Sequence, residues 1–431
     1  MTTHPRAAET VAELHQRAMH ALQDQREAET VDCWQRIVAI APDDIRANAG
    51  LGRWAYRVGE FGAAVEHLTR VAQADPQNPR HWIEVALIHK QRGDAAAEEA
   101  ALFQALTRDP QDLPALLMRG ELYERQGRMT EATDAYMAAA TVAPPVDRLS
   151  ADLRGPVAHA LSVRDAHQQR LANFMDSHLA SALQDHAGED LSRFQLSLDI
   201  LLGRKRRFDA APSRYFVPQL APVEFLDRAL FPWMDAIEAG TEQIRDELLA
   251  VLRADTGITP YIEYRPDQPV HEWAGLNHNP AWSAYHLWKN GQPVESNAAQ
   301  CPETMRLLAQ SPRPDQPGRT PVAMYSLLKP HTAIPPHVGA SNARLVCHLP
   351  LVVPPGCMFR VGNSVRSWEV GRAWAFDDTI EHEARNDSDQ LRAILIWDTW
   401  HPALTLAERG MITAMNTALN AFAGVDTAFN A

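Results

Sequence analysis

Pro42, Pro76, Pro110 and Pro144 lie 34 residues apart, and Gly59, Gly93 and Gly127 keep the same period. A repeat of this length is too short for a domain and too long for one element; it fits a helix, a turn and a second helix. Other positions obey it. Gly52, Ala86 and Gly120 are small where the first helix of each pair must pack closely. Ala64 and Ala132 are small in the second helix, and Leu68, Leu102 and Tyr136 fill its larger slot. Asn78 before Pro79 reads as a helix N-cap followed by proline at the first helical position, where the missing N–H has no partner to lose. One such pair cannot bury its apolar face alone, so the pairs must stack into a continuous core. Three units are expected over 45–144, with a divergent helix pair before them.

The pattern is that of tetratricopeptide repeats, so residues 1–145 are expected to form an all-α superhelix with a concave face. That face suits capture of a polypeptide segment. A brace for the next domain, or self-association, fits the same architecture, because a fold does not fix a function. Residues 146–207 stay helical and read as a cap and linker. One further helix is expected through "FPWMDAIEAGTEQIRDELLAVLRA" at 231–254. Beyond 258 proline, glycine and tryptophan punctuate short β-rich runs: "AMYSLL", "RLVCHLPLVV", "CMFRVG", "AWAFDD", "EHEARN" and "LRAILIWD". Residues 208–431 are therefore expected to form an antiparallel β domain of jelly-roll type.

The formal charge of −13 disfavours a general binder of nucleic acid or anionic membranes, which carries a basic footprint. The run Arg204-Lys205-Arg206-Arg207 is the exception and reads as a solvated or ion-paired turn. The N-terminus, "MTTHPRAAETVAELHQ", has no signal-peptide pattern, and no run approaches the about 18 apolar residues of a membrane helix. A cytoplasmic protein without a membrane anchor is expected. Cys33, Cys301, Cys347 and Cys357 are widely spaced, which suggests neither a disulfide framework nor a thiolate zinc site.

The stretch "HTAIPPHVGASNARLVCHLPL" places His331, His337 and His348 around an apolar strand. Taken singly, each reads as a satisfied core or surface histidine. A partner segment follows in "AFDDTIEHEARNDSDQLRAILIWDTWHP", where His382 sits in a short strand and Arg392 begins the next. In a double-stranded β-helix this order suits non-heme iron(II) with 2-oxoglutarate: imidazoles on facing strands hold the metal, and a deeper guanidinium pairs with a carboxylate. An arginine inside an apolar strand otherwise demands an anion, and "LRAILIW" supplies none. His331 reads as a cap or surface group, and His401 as a residue ordering the chain after the last strand. Trp282, Trp288 and Trp368 read as core aromatics, with lining of a substrate mouth as the other use.

The segments "YSLLKPHTAIPPHVGASNARL", "HLPLVVPPGCMFRVG", "RSWEVGRAWAFDDTIEHEARNDS" and "RAILIWDTWHP" resemble the aspartyl/asparaginyl β-hydroxylase family, over roughly 210–405. The resemblance implies an Fe(II)- and 2-oxoglutarate-dependent dioxygenase that uses O2 to hydroxylate the β-carbon of Asp, or Asn, in a peptide or protein held partly by the repeat groove. It implies His337 and His382 as iron ligands, Arg392 and Ser326 on the distal carboxylate of 2-oxoglutarate, and His348 near its other end. Arg344 falls where the family places a cation facing the substrate carboxylate. Animal members carry a second arginine two residues beyond; this chain has Val346. Gly339 stands where many such enzymes carry an acidic third ligand, which leaves that position to water, to a halide, or to Asp377 or Asp378. Two other readings remain: a lipid or small-molecule hydroxylase of the same family, and a repeat scaffold with an inactive oxygenase domain.

Overall fold

Eight helices follow the 34-residue period as four antiparallel pairs: α1 (Val11–Gln23) with α2 (Glu27–Ile40), α3 (Ile45–Arg57) with α4 (Phe61–Ala74), α5 (Pro79–Arg92) with α6 (Ala95–Arg108), and α7 (Leu113–Arg125) with α8 (Met129–Val142). This computed structural model describes residues 9–316 and 318–422, so the first eight residues of the N-terminal reading lie outside it. Each later pair opens on the same device. Asp44, Asn78 and Asp112 accept a backbone N–H from Ala47, Arg80 and Ala115, satisfying donors that the helix start leaves open. Gly59, Gly93 and Gly127 turn each pair with φ of 86°, 71° and 73°, a region that costs glycine nothing.

The expected small and large slots face each other. A Cβ on Gly52 would stand 2.6 Å from Leu68 Cγ, and one on Gly120 would stand 2.5 Å from Tyr136 Cε1. At the position of Ala64 and Ala132 the middle repeat carries Glu98, which is buried and takes two hydrogen bonds from Arg125 at 2.8 and 2.7 Å. A long helix, α9 (Ala151–Asp185), packs against α8 and α7. The first compact unit ends at Arg193, within α10 (Ser192–Leu201).

In the second unit, from Phe194 onward, the helix expected at 231–254 is two. It breaks at Gly240, whose backbone leaves the helical region (φ −90°, ψ 9°), into α11 (Met234–Ala239) and α12 (Thr241–Ala254); a Cβ there would lie 2.2 Å from Leu307 Cδ1. Leu307 belongs to α14 (Pro302–Leu308), which follows the single turn α13 (Glu295–Ala298). The basic run is ion-paired: Arg204 and Lys205 face Asp199, Arg206 pairs with Glu381 and Arg207 with Asp209.

Two antiparallel sheets follow. The larger runs in the order β1 (Thr259–Pro260), β2 (Trp282–Lys289), β4 (Ala323–Leu328), β11 (Arg392–Trp400), β6 (Arg344–Val352) and β9 (Trp374–Phe376), with β3 (Gln292–Pro293) paired to β2. The smaller runs β5 (Thr332–His337), β10 (His382–Asn386), β7 (Cys357–Val361) and β8 (Ser364–Arg366). A core between the sheets joins Leu328 and Ile394 of the larger to Ile334, Phe359 and Val361 of the smaller. A second core packs the outer face of the larger sheet against α11, α12 and α14 through Ile237, Leu248, Leu307, Tyr325 and Leu395. The closing helix, α15 (Leu406–Phe422), lies beyond β11. Among the described residues, no helix is long and apolar enough to cross a membrane.

Candidate metal and cosubstrate site

His337 ends β5 and His382 begins β10, and strand register sets them directly opposite each other. Their ring centroids are 4.0 Å apart. Pro335 and Pro336 are tolerated in β5 because it is an edge strand and needs no ladder on its outer side. Each imidazole is fixed by its own strand: His337 Nδ1–H donates to Pro335 O at 2.8 Å, and His382 Nδ1–H to Ile380 O at 3.1 Å. Both Nε2 atoms therefore keep a lone pair. Burial drives both rings neutral, His337 down to about 3 with the neighbouring His382 adding to the effect, and His382 down to about 4. Two neutral, oriented imidazoles side by side have the form in which histidine binds a divalent metal.

Arg392 lies deeper, 1% exposed on β11. Its Nη1 reaches only Ser326 O and Oγ, both at 3.4 Å, and its Nε is buried without a partner. Burial lowers it to about 10, and no acidic side chain among the described residues pairs with it. The indole of Trp368 lies under the guanidinium at 5.1 Å. Ser326 Oγ also accepts from Trp282 Nε1 at 3.2 Å. A buried, unpaired guanidinium is stable only with an anion, so this end fits a carboxylate-bearing ligand. His348 is buried nearby and accepts from Trp368 Nε1 at its Nδ1 (3.3 Å), which leaves the proton on Nε2. Burial, then Arg392, keeps it neutral.

Arg344 differs from the expectation. It is not an open cation facing a substrate: Nη1 meets Asp398 Oδ1 at 3.1 Å and Nη2 meets Asp378 Oδ2 at 3.0 Å. Burial works against its charge, but the two carboxylates outweigh it and raise the guanidinium further. Burial likewise opposes ionisation of both acids, which the guanidinium between them counters. Asp398 Oδ2 takes the N–H of Val322 at 2.9 Å, whereas Asp378 Oδ1 is buried with no partner. Asp377 is turned into its own loop, accepting from Thr379 N and Oγ1.

Trp368 and Trp282 look in the sequence like generic core aromatics, and the pairing of Asp398 with Arg344 emerges only in the fold. A signal existed: Asp398 in "ILIWDTW" is as anomalous in an apolar strand as Arg392 in "LRAILIW". Trp273, 4.9 Å from His337 edge to face, gave none. His331 is exposed and bonds Asp389, and His401 Nδ1 accepts from Ala403 N after the last strand. Among the described residues no three His, Cys, Asp or Glu side chains converge as a metal-binding group.

Residues 238–402 match the family model for aspartyl/asparaginyl beta-hydroxylase, and residues 50–112 and 99–147 match tetratricopeptide repeats. The human aspartyl/asparaginyl beta-hydroxylase is 35% identical over 181 residues, 42% of this chain and 22% of that protein. The ornithine lipid ester-linked acyl 2-hydroxylase of Rhizobium tropici is 32% identical over 196 residues, 45% of this chain and 66% of that protein. The human aspartate beta-hydroxylase domain-containing protein 2 is 35% identical over 146 residues, 31% of this chain and 38% of that protein.

Proposed function

We infer the function from one premise: this is a tetratricopeptide-repeat protein whose residues 238–402 belong to the aspartyl/asparaginyl beta-hydroxylase family. The reading is an Fe(II)- and 2-oxoglutarate-dependent dioxygenase with a double-stranded β-helix domain, hydroxylating the β-carbon of an Asp or Asn residue in a polypeptide. The observation that carries it is the pairing of two oriented, neutral imidazoles with a deeper, anion-seeking arginine. When bound, iron and 2-oxoglutarate supply oxidation of a C–H bond by O2, with the cosubstrate losing CO2 to become succinate.

The chain's own residues bind, orient and exclude water. His337 and His382 would hold the metal through Nε2. Arg392, supported by Ser326 and backed by Trp368, would hold the distal carboxylate of 2-oxoglutarate. Trp368 fixes the His348 tautomer with the proton on Nε2, which would be free to donate to the cosubstrate. Trp273, Trp282, Phe359 and Phe376 wall the histidine pair and keep it dry. The Asp378 carboxylate packs against Gly339, in the space where a side chain at that position would begin.

The repeats hold the segments flanking the target residue, which adds binding without adding chemistry. The lipid hydroxylase relative favours a second reading, an acyl-chain substrate. One experiment separates them. The Fe(II)-loaded protein is given 2-oxoglutarate and O2, and succinate is followed; polypeptides trapped on a His382→Ala protein are then searched by mass spectrometry for an added oxygen on Asp or Asn. No succinate under any condition sinks the dioxygenase reading. Succinate coupled to a hydroxylated acyl chain, and never to a polypeptide, moves the assignment to lipid.

A further inference from the structure

We propose that α15 is a self-association surface through which two copies of this protein pair, with their α15 helices antiparallel. The observation behind it is a helix turned inside out. A surface helix ordinarily buries its apolar stripe and gives its polar face to water. On α15 the polar side chains face the domain: Thr413 Oγ1 donates to Asp315 O at 3.0 Å, and buried Asn416 donates through Nδ2 to Gln316 Oε1. Ile412 anchors the same side against Trp400 and Leu404. Other large apolar side chains point outward, with Met411 69%, Leu419 48% and Phe422 93% exposed. At about 100° per residue Met411, Ala414, Met415, Ala418, Leu419 and Phe422 fall on one face. No Asp, Glu, Lys or Arg occurs from 410 to 422, in a chain that is 22% charged. A contiguous exposed apolar patch of this kind marks an interaction surface.

The chemistry of the face selects its occupant. An uncharged surface offers nothing to a charged partner, and a chain of formal charge −13 is repelled by anionic lipid. A second copy fits by symmetry. When two α15 helices face each other antiparallel about a two-fold axis between residues 416 and 417, Leu419 lies opposite Ala414 of the second copy, Met415 opposite its Ala418, and Met411 opposite its Phe422. Large side chains then meet alanines along the middle, which allows the close approach of ordinary helix packing. Met411 and Phe422 close the two ends. One helix pair covers less than the about 1,600 Å² of a standard interface, so the dimer is a weak one, with a Kd in the micromolar range.

The test is sedimentation velocity of the full-length protein from about 1 to 100 μM, at low and at high salt. A monomer–dimer equilibrium is expected that tightens as salt rises, because charge repulsion between two acidic chains opposes an apolar contact and is screened. Leu419→Glu is expected to raise the Kd at least about tenfold. Adding Ala414→Lys is expected to bring it back to within about threefold of wild type, by pairing each lysine with the glutamate of the other copy. Residues 414 and 419 are about 140° apart around one helix, so this rescue arises only between copies. A wild-type protein that stays monomeric at the highest concentration overturns the proposal, and its pelleting with neutral phosphatidylcholine vesicles gives the face to a membrane instead. A dimer unmoved by Leu419→Glu, shown folded by circular dichroism, places the contact elsewhere and overturns it too. Weakening without rescue overturns the antiparallel register. Phe422→Ser, at the exposed end of the face, repeats the test if Leu419→Glu does not fold.

Discussion

The carboxylate of Asp378 occupies the space in which a side chain on residue 339 would begin: a Cβ on Gly339 would stand 2.1 Å from Asp378 Oδ2 and 2.5 Å from Oδ1. Gly339→Ala must therefore displace Asp378 and with it the bond to Arg344 Nη2. Overpacking of this kind costs about 1–3 kcal/mol. The variant is expected to lose that much stability in chemical denaturation and at least tenfold in succinate formation. Wild-type activity in a folded Gly339→Ala protein shows that the Asp378–Arg344 contact has no part in turnover.

If the proposed function holds, removing either imidazole should abolish metal-dependent turnover, because among the described residues no third His, Cys, Asp or Glu converges on the histidine pair. His337→Ala and His382→Ala are each expected to weaken Fe(II) binding by more than about a hundredfold. Titration calorimetry with Fe(II), or with Mn(II) under air, measures this apart from activity. Equal metal affinity in the doubly substituted protein would place the metal elsewhere.

Arg392→Met should act on the cosubstrate alone. Losing one member of a buried charge pair costs about 3–5 kcal/mol, which is more than a hundredfold in affinity. The KM for 2-oxoglutarate should rise by that factor while the KM for a polypeptide stays within about threefold. A change confined to the polypeptide term would take Arg392 out of the cosubstrate site.

His286 gives the second unit a dependence on pH. The ring points from β2 into the same interior, its Nδ1 is buried without a partner, and burial first, then Lys289, lowers it from 6.5 to about 4. A histidine depressed in the folded state binds its proton more readily when unfolded, so stability is full above 6.5 and falls as the pH drops toward 4. One proton contributes a slope of about 1.4 kcal/mol per pH unit within that window. His286→Gln should flatten the slope of unfolding free energy against pH by at most that amount. An identical slope in the variant would mean that His286 is solvated and titrates alike in both states.

What could be read from the sequence was what repeats or alternates. The 34-residue period located each repeat helix because every unit solves the same packing problem. Strands β4, β6, β7, β9, β10 and β11 are legible from bounded β-rich runs. Strand β2 was not, because Trp282 to Leu287 is buried almost throughout and so shows no alternation. Strand β5 was obscured by Pro335 and Pro336, which only an edge position permits. The need for glycine at position 240 comes from Leu307, a residue 67 positions away. For Arg344 the same limit applied: its partners lie 34 and 54 residues along the chain, and only strand register reveals that two acids share it.

His337 and His382 each anchor to a carbonyl two residues back in the chain, so neither ring relies on a neighbouring side chain for its orientation. The placement of the two rings is therefore a property of how two strands are paired, and it is insulated from the identity of side chains elsewhere in the β domain. Side chains such as Val346, Met324 and His286 can be exchanged for others of similar volume while the two Nε2 atoms stay where the backbone puts them. A scaffold wired in this way lets the surroundings of the histidine pair diverge while the pair itself does not.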